Sequence, residues 1–284
     1  MDRKQLAVVG GGTMGAGIAQ VFAQAGYLVD LIDVNSEILK RSLTRMDKSV
    51  RKLAEKGAID PSNVDTVLSS VRAVSDIRQI GAASLVVEAV PESFDLKKRV
   101  FQELDAALPP ETVLASNTSS ISITEIAAAT KRPDKVIGMH FMNPVPLMKL
   151  VEIIRGIATS DATYERVENL TEELGKTPVE VQDYPGFVSN RVLMPMINEA
   201  IYVLMEGVAS AKDIDTVMKL GMNHPMGPLT LADFIGLDVC LDIMEVLYSG
   251  FSDPKYRPCP LLKKMVRAGY LGRKSGRGFF EYES

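Results

Sequence analysis

The chain has 284 residues, enough for two domains or for one large domain with an ample core. Its 32 Lys and Arg residues against 36 Asp and Glu residues leave a net charge of −4, too weak to favour nucleic acid or an anionic membrane as a partner. No apolar run approaches the roughly 18 residues that a membrane-spanning helix needs. The first predicted strand begins near residue 6, which leaves little room for a signal peptide, so we expect a soluble cytoplasmic protein.

Two cysteines, Cys240 and Cys259, occur late in the chain, and their spacing is not that of metal ligands. A disulfide between them is one interpretation. Two thiols in a reducing compartment are the other, and we expect the thiols and no metal site.

A glycine-rich turn lies between two short apolar segments near the start of the chain. A strand is predicted before Gly10-x-Gly12-x-x-Gly15, a helix after it, and then a second strand. This order is typical of a dinucleotide-binding β–α–β unit. Gly10 would turn the chain sharply, Gly12 would leave room for a pyrophosphate, and Gly15 would let the helix pack closely. The N–H groups at the helix start would face the phosphates, so this loop, with Thr13 and Met14, is predicted to bind a dinucleotide.

Asp33 decides which dinucleotide is expected. It lies 18 residues beyond Gly15, at the end of the second predicted strand, where its carboxylate would accept hydrogen bonds from the ribose hydroxyls. A 2′-phosphate would meet the same negative charge, and no Arg or Lys follows Asp33 until Lys40. The sequence therefore favours NAD over NADP as the cofactor.

A strongly basic helix is predicted over residues 36–55. Seven basic and two acidic residues between positions 38 and 56 give this segment a charge of +5 in an acidic protein. Five of the basic residues share one helix face: Arg41, Arg45, Lys48, Lys52 and Lys56. The face is either a solvated surface or a binding site for a polyanionic substrate, and the pattern alone does not choose between them.

Strands and helices alternate again further along the chain. Strands are predicted at residues 84–90, 112–116, 135–141, 150–154 and 178–181, and helices at 94–108 and 123–129. Such alternation predicts a mainly parallel, Rossmann-type sheet over residues 1–184, with its ligands beyond the carboxyl ends of the strands. Residues 116–120 and 140–143 occupy those ends.

The pattern changes at the segment Asp-Tyr-Pro-Gly, residues 183–186, and residues 185–284 are predicted to form a smaller all-α domain. Its predicted helices span residues 187–205, 210–220, 229–248 and 261–268, and Pro195 is expected to kink the first or to start a new helix. The domain has more Met, Ile, Val and Leu residues than a monomer of four helices is expected to carry, so some of them are expected on its surface. We therefore expect a homodimer or a higher homo-oligomer that forms through this domain.

The chain has two histidines, and the sequence favours His140 as the proton carrier. It lies at the end of a predicted strand, where ligands bind to such sheets. Glu152 follows twelve residues later, after a turn that contains Pro144 and Pro146, so the chain is expected to reverse and bring its carboxylate beside the imidazole. The pair would be a base oriented by an acid. His224 lies in a loop between helices, where packing or capping explains it.

Small polar side chains at residues 116–120 (Ser-Asn-Thr-Ser-Ser) form a second candidate site. The segment is either a loop before a helix cap or part of the active site. In the second interpretation the segment offers the Asn117 amide to the nicotinamide region and one of its hydroxyls to a substrate oxygen. Asn190, at the start of the second domain, would reach the same oxygen.

Several motifs together resemble one family over essentially the whole chain, the short-chain 3-hydroxyacyl-CoA dehydrogenases, and most closely their bacterial members that act on 3-hydroxybutyryl-CoA. The motifs are Gly-Gly-Gly-Thr-Met-Gly (10–15), Ala-Ser-Asn-Thr-Ser-Ser (115–120), Gly-Met-His-Phe-Met-Asn-Pro (138–144), Pro-Gly-Phe-Val-Ser-Asn-Arg (185–191), Asn-His-Pro-Met-Gly-Pro (223–228) and Gly-Arg-Lys-Ser-Gly (272–276). Pro91, near the cofactor loop, is a minor departure from the family pattern.

The resemblance implies a role for each matching position. His140 is the acid/base with Glu152 as its partner, Ser119 and Asn190 hold the substrate, and Lys52 and Lys56 contact CoA. The residues implied to contact NAD are Asp33, Glu92, Lys97, Asn117, Asn143 and Lys274.

The expected activity is reversible hydride transfer between NAD and carbon 3 of a short 3-hydroxyacyl-CoA, which interconverts acetoacetyl-CoA and, by the resemblance, (S)-3-hydroxybutyryl-CoA in butyrate and fatty-acid metabolism. One alternative is a β-hydroxyacid dehydrogenase for a small free acid, which would need a cationic clamp near His140. Another is a non-catalytic NAD-sensing module, which would not require His140 and Glu152.

Overall fold

The structure is a computed structural model that describes residues 5–283. Contacts within the chain divide it into two compact units, of which the first ends at Asp183 and the second begins at Tyr184. The first unit is a mainly parallel α/β unit and the second is helical, which confirms the predicted fold class. Within residues 5–283, no helix combines the length and the apolar character needed to cross a membrane.

The first unit consists of eight strands and six α-helices. The strands are β1 (Gln5–Val9), β2 (Leu28–Ile32), β3 (Val71–Val74), β4 (Leu85–Glu88), β5 (Val113–Ser116), β6 (Val136–Phe141), β7 (Leu150–Arg155) and β8 (Thr177–Gln182). The helices are α1 (Thr13–Gln24), α2 (Ser36–Glu55), α3 (Val64–Ser69), α4 (Phe94–Ala107), α5 (Ile123–Ala127) and α6 (Asp161–Glu173).

All eight strands lie in one sheet in the order β3-β2-β1-β4-β5-β6-β7-β8. The first six are parallel, β7 runs antiparallel to β6, and β8 is parallel to β7. The strand order reverses between β1 and β4. Ligands of open α/β sheets bind at such a reversal, beyond the carboxyl ends of the strands.

The core of the first unit forms where α1 packs on the central strands. Strands β1 and β4 are almost continuous apolar runs because both faces of a parallel sheet are covered. Phe22 of α1 is fully buried, and its ring meets the rings of Tyr27 and Phe141 edge to face at 5.7 and 6.5 Å between centroids. This packing holds the C-terminal half of α1 against the sheet.

Five helices form the second unit: α7 (Ser189–Met205), α8 (Ala211–Gly221), α9 (Pro228–Ile235), α10 (Leu237–Phe251) and α11 (Pro260–Arg267). Their apolar faces share one core, which includes Ile201, Leu229 and Leu247. Cys240 and Cys259 are buried free thiols, and burial raises the pKa of Cys240 to about 12.

Some elements differ from the sequence prediction. The prediction of a single helix over residues 229–248 is wrong. The chain forms two helices there, α9 and α10, because Gly236 between them takes a φ of +105°. Pro195 starts no new helix, since α7 continues through it. Strand β3 and helices α3 and α6 were not predicted. Two of the four β3 side chains are exposed, so this edge strand lacks a strong apolar signal.

Candidate active site and cofactor site

The glycine loop between β1 and α1 has the geometry that a pyrophosphate needs. Gly10 takes a φ of +109°, and a Cβ there would lie 2.5 Å from the carbonyl oxygen of Ala89. A Cβ on Gly15 would lie 1.8 Å from the Gly10 oxygen, so the helix approaches the loop as closely as glycine allows. Space around Gly12 is open. With the first N–H groups of α1 beside that space, these residues fit a dinucleotide phosphate.

The Asp33 carboxylate is held in place at the end of β2. One oxygen accepts the backbone N–H of Gly11 at 2.8 Å and the other that of Asn35 at 2.9 Å. Asp33 is half-buried, and its neighbour Val34 is 91% exposed. A carboxylate fixed beside the glycine loop suits the ribose hydroxyls of NAD, and no basic side chain covers it from Val34 or Asn35.

A buried ion pair lies at the carboxyl ends of β4 and β5. Lys97 of α4 is 1% exposed, and its Nζ lies 2.7 Å from Oε1 of Glu88, 3.2 Å from the Val90 carbonyl oxygen and 3.3 Å from Oε2 of Glu92. Three oxygens therefore match the three N–H donors of the ammonium. Glu88 also accepts the hydroxyl of Ser116 at 2.6 Å. Burial raises the pKa of Glu88, while Lys97 and the hydrogen-bond donors oppose that rise.

Glu92 joins this ion pair to the loop that carries Ser119. Its Oε1 accepts the hydroxyl of Thr118 at 2.6 Å and the backbone N–H groups of Ser119 and Ser120 at 3.0 and 3.1 Å. Burial opposes ionisation of Glu92, but Lys97 and these donors prevail and lower its pKa. Near neutral pH Glu92 is thus an anion that organises the loop.

Asn117 connects the ends of β5 and β6. Its side-chain Oδ1 accepts the backbone N–H of Phe141 at 2.9 Å, so any contact that it donates to a ligand must come from the Nδ2 group. Asn143, two residues beyond the end of β6, is exposed.

His140 and Glu152 meet as a directly opposed pair on the antiparallel strands β6 and β7. The distance from Nδ1 of His140 to Oε2 of Glu152 is 2.8 Å, and the two residues are 8% and 2% exposed. The reversal expected from Pro144 and Pro146 is thus present. A carboxylate on Nδ1 orients the imidazole ring, as a general acid/base requires.

The basic face of α2 is exposed along its length. Lys52 and Lys56 lie at the C-terminal end of the helix with their side chains in solvent. The opposite face is buried through Leu39, Met46 and Val50, which anchors the helix to the first unit. The helix can therefore present its lysines to an anion without losing its core contacts.

Two predicted site residues belong to the second unit. Asn190 lies in the first turn of α7. Lys274 forms an ion pair with Asp238 of α10, with 2.6 Å between Nζ and Oδ2. Partial burial opposes ionisation of Asp238, but Lys274 and the Val239 N–H outweigh it and lower its pKa. His224 lies between α8 and α9, where its backbone N–H bonds to the Met218 carbonyl at 3.1 Å.

Glu88, which pairs with the predicted site residue Lys97, was not predicted from the sequence. A signal was present, because Glu88 is a charged residue at the end of the otherwise apolar strand Leu-Val-Val-Glu. A charge in such a place needs a buried partner. Among residues 5–283, no group of three or more His, Cys, Asp or Glu side chains is arranged to hold a metal ion.

Two family models together match nearly the whole chain. The 3-hydroxyacyl-CoA dehydrogenase NAD-binding domain matches residues 5–184, and the C-terminal domain of the same family matches residues 186–282. The chain belongs to the 3-hydroxyacyl-CoA dehydrogenase family. This confirms the predicted family, the NAD-binding domain and the assignment of the chain as an NAD-dependent dehydrogenase.

Curated relatives and a solved structure are similar over their full lengths. A probable 3-hydroxybutyryl-CoA dehydrogenase of Bacillus subtilis is 59% identical over 100% of this chain and 99% of its own. A 3-hydroxybutyryl-CoA dehydrogenase of Clostridioides difficile is 51% identical over 98% and 99%. The crystal structure of (S)-3-hydroxybutyryl-CoA dehydrogenase from Ralstonia eutropha is 48% identical and superposes with a TM-score of 0.96 over 100% of both chains.

Replacement of Lys97 tests the buried ion pair. Lys97→Met should lower the free energy of unfolding by about 3–5 kcal/mol, because it leaves the Glu88 carboxylate buried and uncompensated. Adding Glu88→Gln should recover part of that loss. Lys98→Met, on the exposed side of α4, is the matched control and should change stability by less than about 0.5 kcal/mol in urea denaturation. Equal stability of Lys97→Met and Lys98→Met would contradict the assignment.

Proposed function

We propose that this protein interconverts acetoacetyl-CoA and (S)-3-hydroxybutyryl-CoA with NADH and NAD, in the metabolism of butyrate and fatty acids. The observation that carries the proposal is the His140–Glu152 pair, buried near the carboxyl edge of the sheet. The pair supplies a general acid/base, which hydride transfer at an alcohol carbon requires. The names of the full-length relatives support the CoA ester as substrate.

The protein residues perform the proton transfer and the positioning. The bound cofactor would supply the hydride-transfer chemistry, with NAD as the acceptor and NADH as the donor. During oxidation His140 takes the 3-hydroxyl proton, and the Glu152 carboxylate stabilises the resulting imidazolium. During reduction the imidazolium gives the proton back. Ser119 and Asn190 are proposed to hold the oxygen on carbon 3 and so align carbon 3 for transfer.

The proposed cofactor contacts follow the geometry of the first unit. Gly10, Gly12, Thr13, Met14 and Gly15 would surround the pyrophosphate, and Asp33 would hold the adenosine ribose. The remaining contacts proposed for NAD come from Glu92, Lys97, Asn117, Asn143 and Lys274. Because three protein oxygens already surround the Lys97 ammonium, we propose that Lys97 acts mainly by fixing Glu92.

Residues 1–184 and residues 185–284 are proposed to divide the work. The first part would bind NAD, and the second would complete the substrate site and join copies of the chain. Exposed apolar side chains of the second unit support this assembly: Val192 (68%), Leu220 (81%), Met222 (61%) and Phe234 (56%). A homodimer or larger homo-oligomer in the cytoplasm is the form that we propose.

Substrate choice tests the proposed function. NADH oxidation should be fast with acetoacetyl-CoA and much slower with free acetoacetate, because Lys52 and Lys56 are proposed to bind the CoA phosphates. Lys52→Glu/Lys56→Glu should raise KM for acetoacetyl-CoA while KM for acetoacetyl-pantetheine, which lacks the nucleotide, changes little.

Other outcomes of these assays identify the alternatives. Preference for free acetoacetate would indicate a dehydrogenase for small acids. Absence of turnover with both substrates would indicate an NAD-sensing module. Equal losses on the CoA and pantetheine esters would show that the lysines form only a solvated face.

The acid/base pair should behave as one unit. His140→Ala should lower kcat by about 10²- to 10⁴-fold and leave the Kd for NADH nearly unchanged. Adding Glu152→Gln should cost little more, because the carboxylate acts through the imidazole. His224→Ala is the matched control and should keep near-normal turnover in the same steady-state assay. Additive losses in the double variant would refute the coupling.

Cofactor choice should depend on Asp33. Asp33→Ser/Val34→Arg should move the kcat/KM ratio for NADPH over NADH upward by about tenfold or more, since repulsion is removed and a charge-assisted bond to the 2′-phosphate is gained. Val34 is the better site for the arginine, because Asn35 caps α2. Val34→Arg alone should keep the preference for NADH. A wild-type protein that already prefers NADPH would overturn the assignment.

A further inference from the structure

The inner face of α2 lies against the glycine loop. The buried hydroxyl of Ser42 bonds to the carbonyl oxygens of Gly11 and Ile38, the latter at 2.8 Å. A Cβ on Gly11 would lie 3.0 Å from Cγ2 of Ile38. Residues 38 and 42 are four positions apart and share a helix face. This face of α2 is therefore fixed against the loop that is expected to bind the cofactor phosphates.

Arg45, three residues after Ser42, lies on the exposed basic face of α2 where that face borders the glycine loop. Its Nη1 donates a hydrogen bond to Oγ1 of Thr13 at 2.8 Å. Thr13 is the first residue of α1, where the backbone N–H groups point toward a bound anion. Both residues are exposed, so a ligand can reach them. A guanidinium has five N–H donors, and the bond to Thr13 uses one of them.

We propose that Arg45 binds the pyrophosphate of NAD and is held for that purpose by Thr13. A guanidinium at this position supplies paired donors and a full positive charge, whereas the helix N-terminus supplies only partial charge. The ligand class is a dinucleotide diphosphate. The inference rests on the proposed placement of NAD at the glycine loop, and it goes beyond the residues assigned to NAD above.

Arg45 thereby separates from the other basic residues of its helix. Lys52 and Lys56 lie seven and eleven residues further on, about 10 and 16 Å along the axis at 1.5 Å per residue. The loop contact belongs to Arg45, and the lysines lie toward the other end of α2. The basic face of α2 would then bind two ligands: Arg45 would bind the cofactor, and Lys52 and Lys56 would bind CoA.

The test measures cofactor binding without any CoA ester. Arg45→Gln should raise the Kd for NADH and the Kd for ADP-ribose by a similar factor, about tenfold to a hundredfold. Both ligands contain the diphosphate, and the variant loses a charge-assisted bond to it. Adenosine, which has no phosphate, should bind almost as before. Fluorescence titration gives the Kd for NADH, and competition gives the others. Arg45→Lys should fall between wild type and Arg45→Gln, since the charge remains but the planar fork is lost.

The matched control is Arg51→Gln, which removes the same charge from the same helix. Arg51 is exposed and paired with Asp47 at 2.8 Å, so its loss should change the Kd for NADH by less than about twofold. Thr13→Val should raise the Kd for NADH in the wild-type background. In the Arg45→Gln background it should raise that Kd little further, because the hydroxyl acts by orienting the guanidinium. Thermal melts of all variants establish that each is folded.

Two results would overturn the proposal. One is an unchanged Kd for NADH in a folded Arg45→Gln variant. The other is a loss confined to KM for acetoacetyl-CoA, as proposed for Lys52→Glu/Lys56→Glu, which would assign Arg45 to the CoA site. The Kd for NADH does not depend on the proposed reaction. Failure of the proposed function would instead appear as a wild-type protein that binds NADH but does not turn over acetoacetyl-CoA.

Discussion

The antiparallel pairing of β6 with β7 is the constraint on which the candidate chemistry depends. Every other pairing in the sheet is parallel, and parallel neighbours are joined by long crossovers. Reversal after β6 brings Glu152 directly opposite His140, so the acid/base pair is held by the ladder of backbone hydrogen bonds between β6 and β7 and not by a loop. A shift of one residue in the register would move Glu152 to the other face of the sheet.

A second constraint is the burial of Lys97 among three oxygens. The ammonium compensates Glu88 and holds Glu92, and Glu92 in turn gathers the N–H groups of Ser119 and Ser120. Loss of Lys97 or of Glu88 alone would leave its partner as a buried, unpaired charge, which is costly. The loop proposed to hold the substrate oxygen is thus organised by an ion pair inside the first unit.

Sequence reasoning succeeded where the determinants are close along the chain. The glycine loop, the bounds of α2 and the approach of Glu152 to His140 each follow from segments of fewer than about thirty residues, in which glycine, proline and helix periodicity act locally. Glu88 and its partners were missed because they depend on the register that pairs Glu88 with Ser116 across strands 28 residues apart. Strand β3 and the break at Gly236 were also missed because they depend on tertiary structure. Exposure at the sheet edge removes the apolar pattern of β3, and packing of the neighbouring helices sets the break at Gly236. The roles of Asn190 and Lys274 remain predictions, because they depend on ligands.

Helix α2 gives the two proposed ligands a mechanical connection. Its inner face rests on the glycine loop through Ser42, and its outer end carries the lysines. If one ligand shifts the position of this helix, the affinities for the two ligands become interdependent, and thermodynamic linkage makes the effect reciprocal: the factor by which the CoA ester strengthens NADH binding is the factor by which NADH strengthens binding of the ester. Cooperative loading of the two ligands, in whichever order they arrive, would then be a property of one helix.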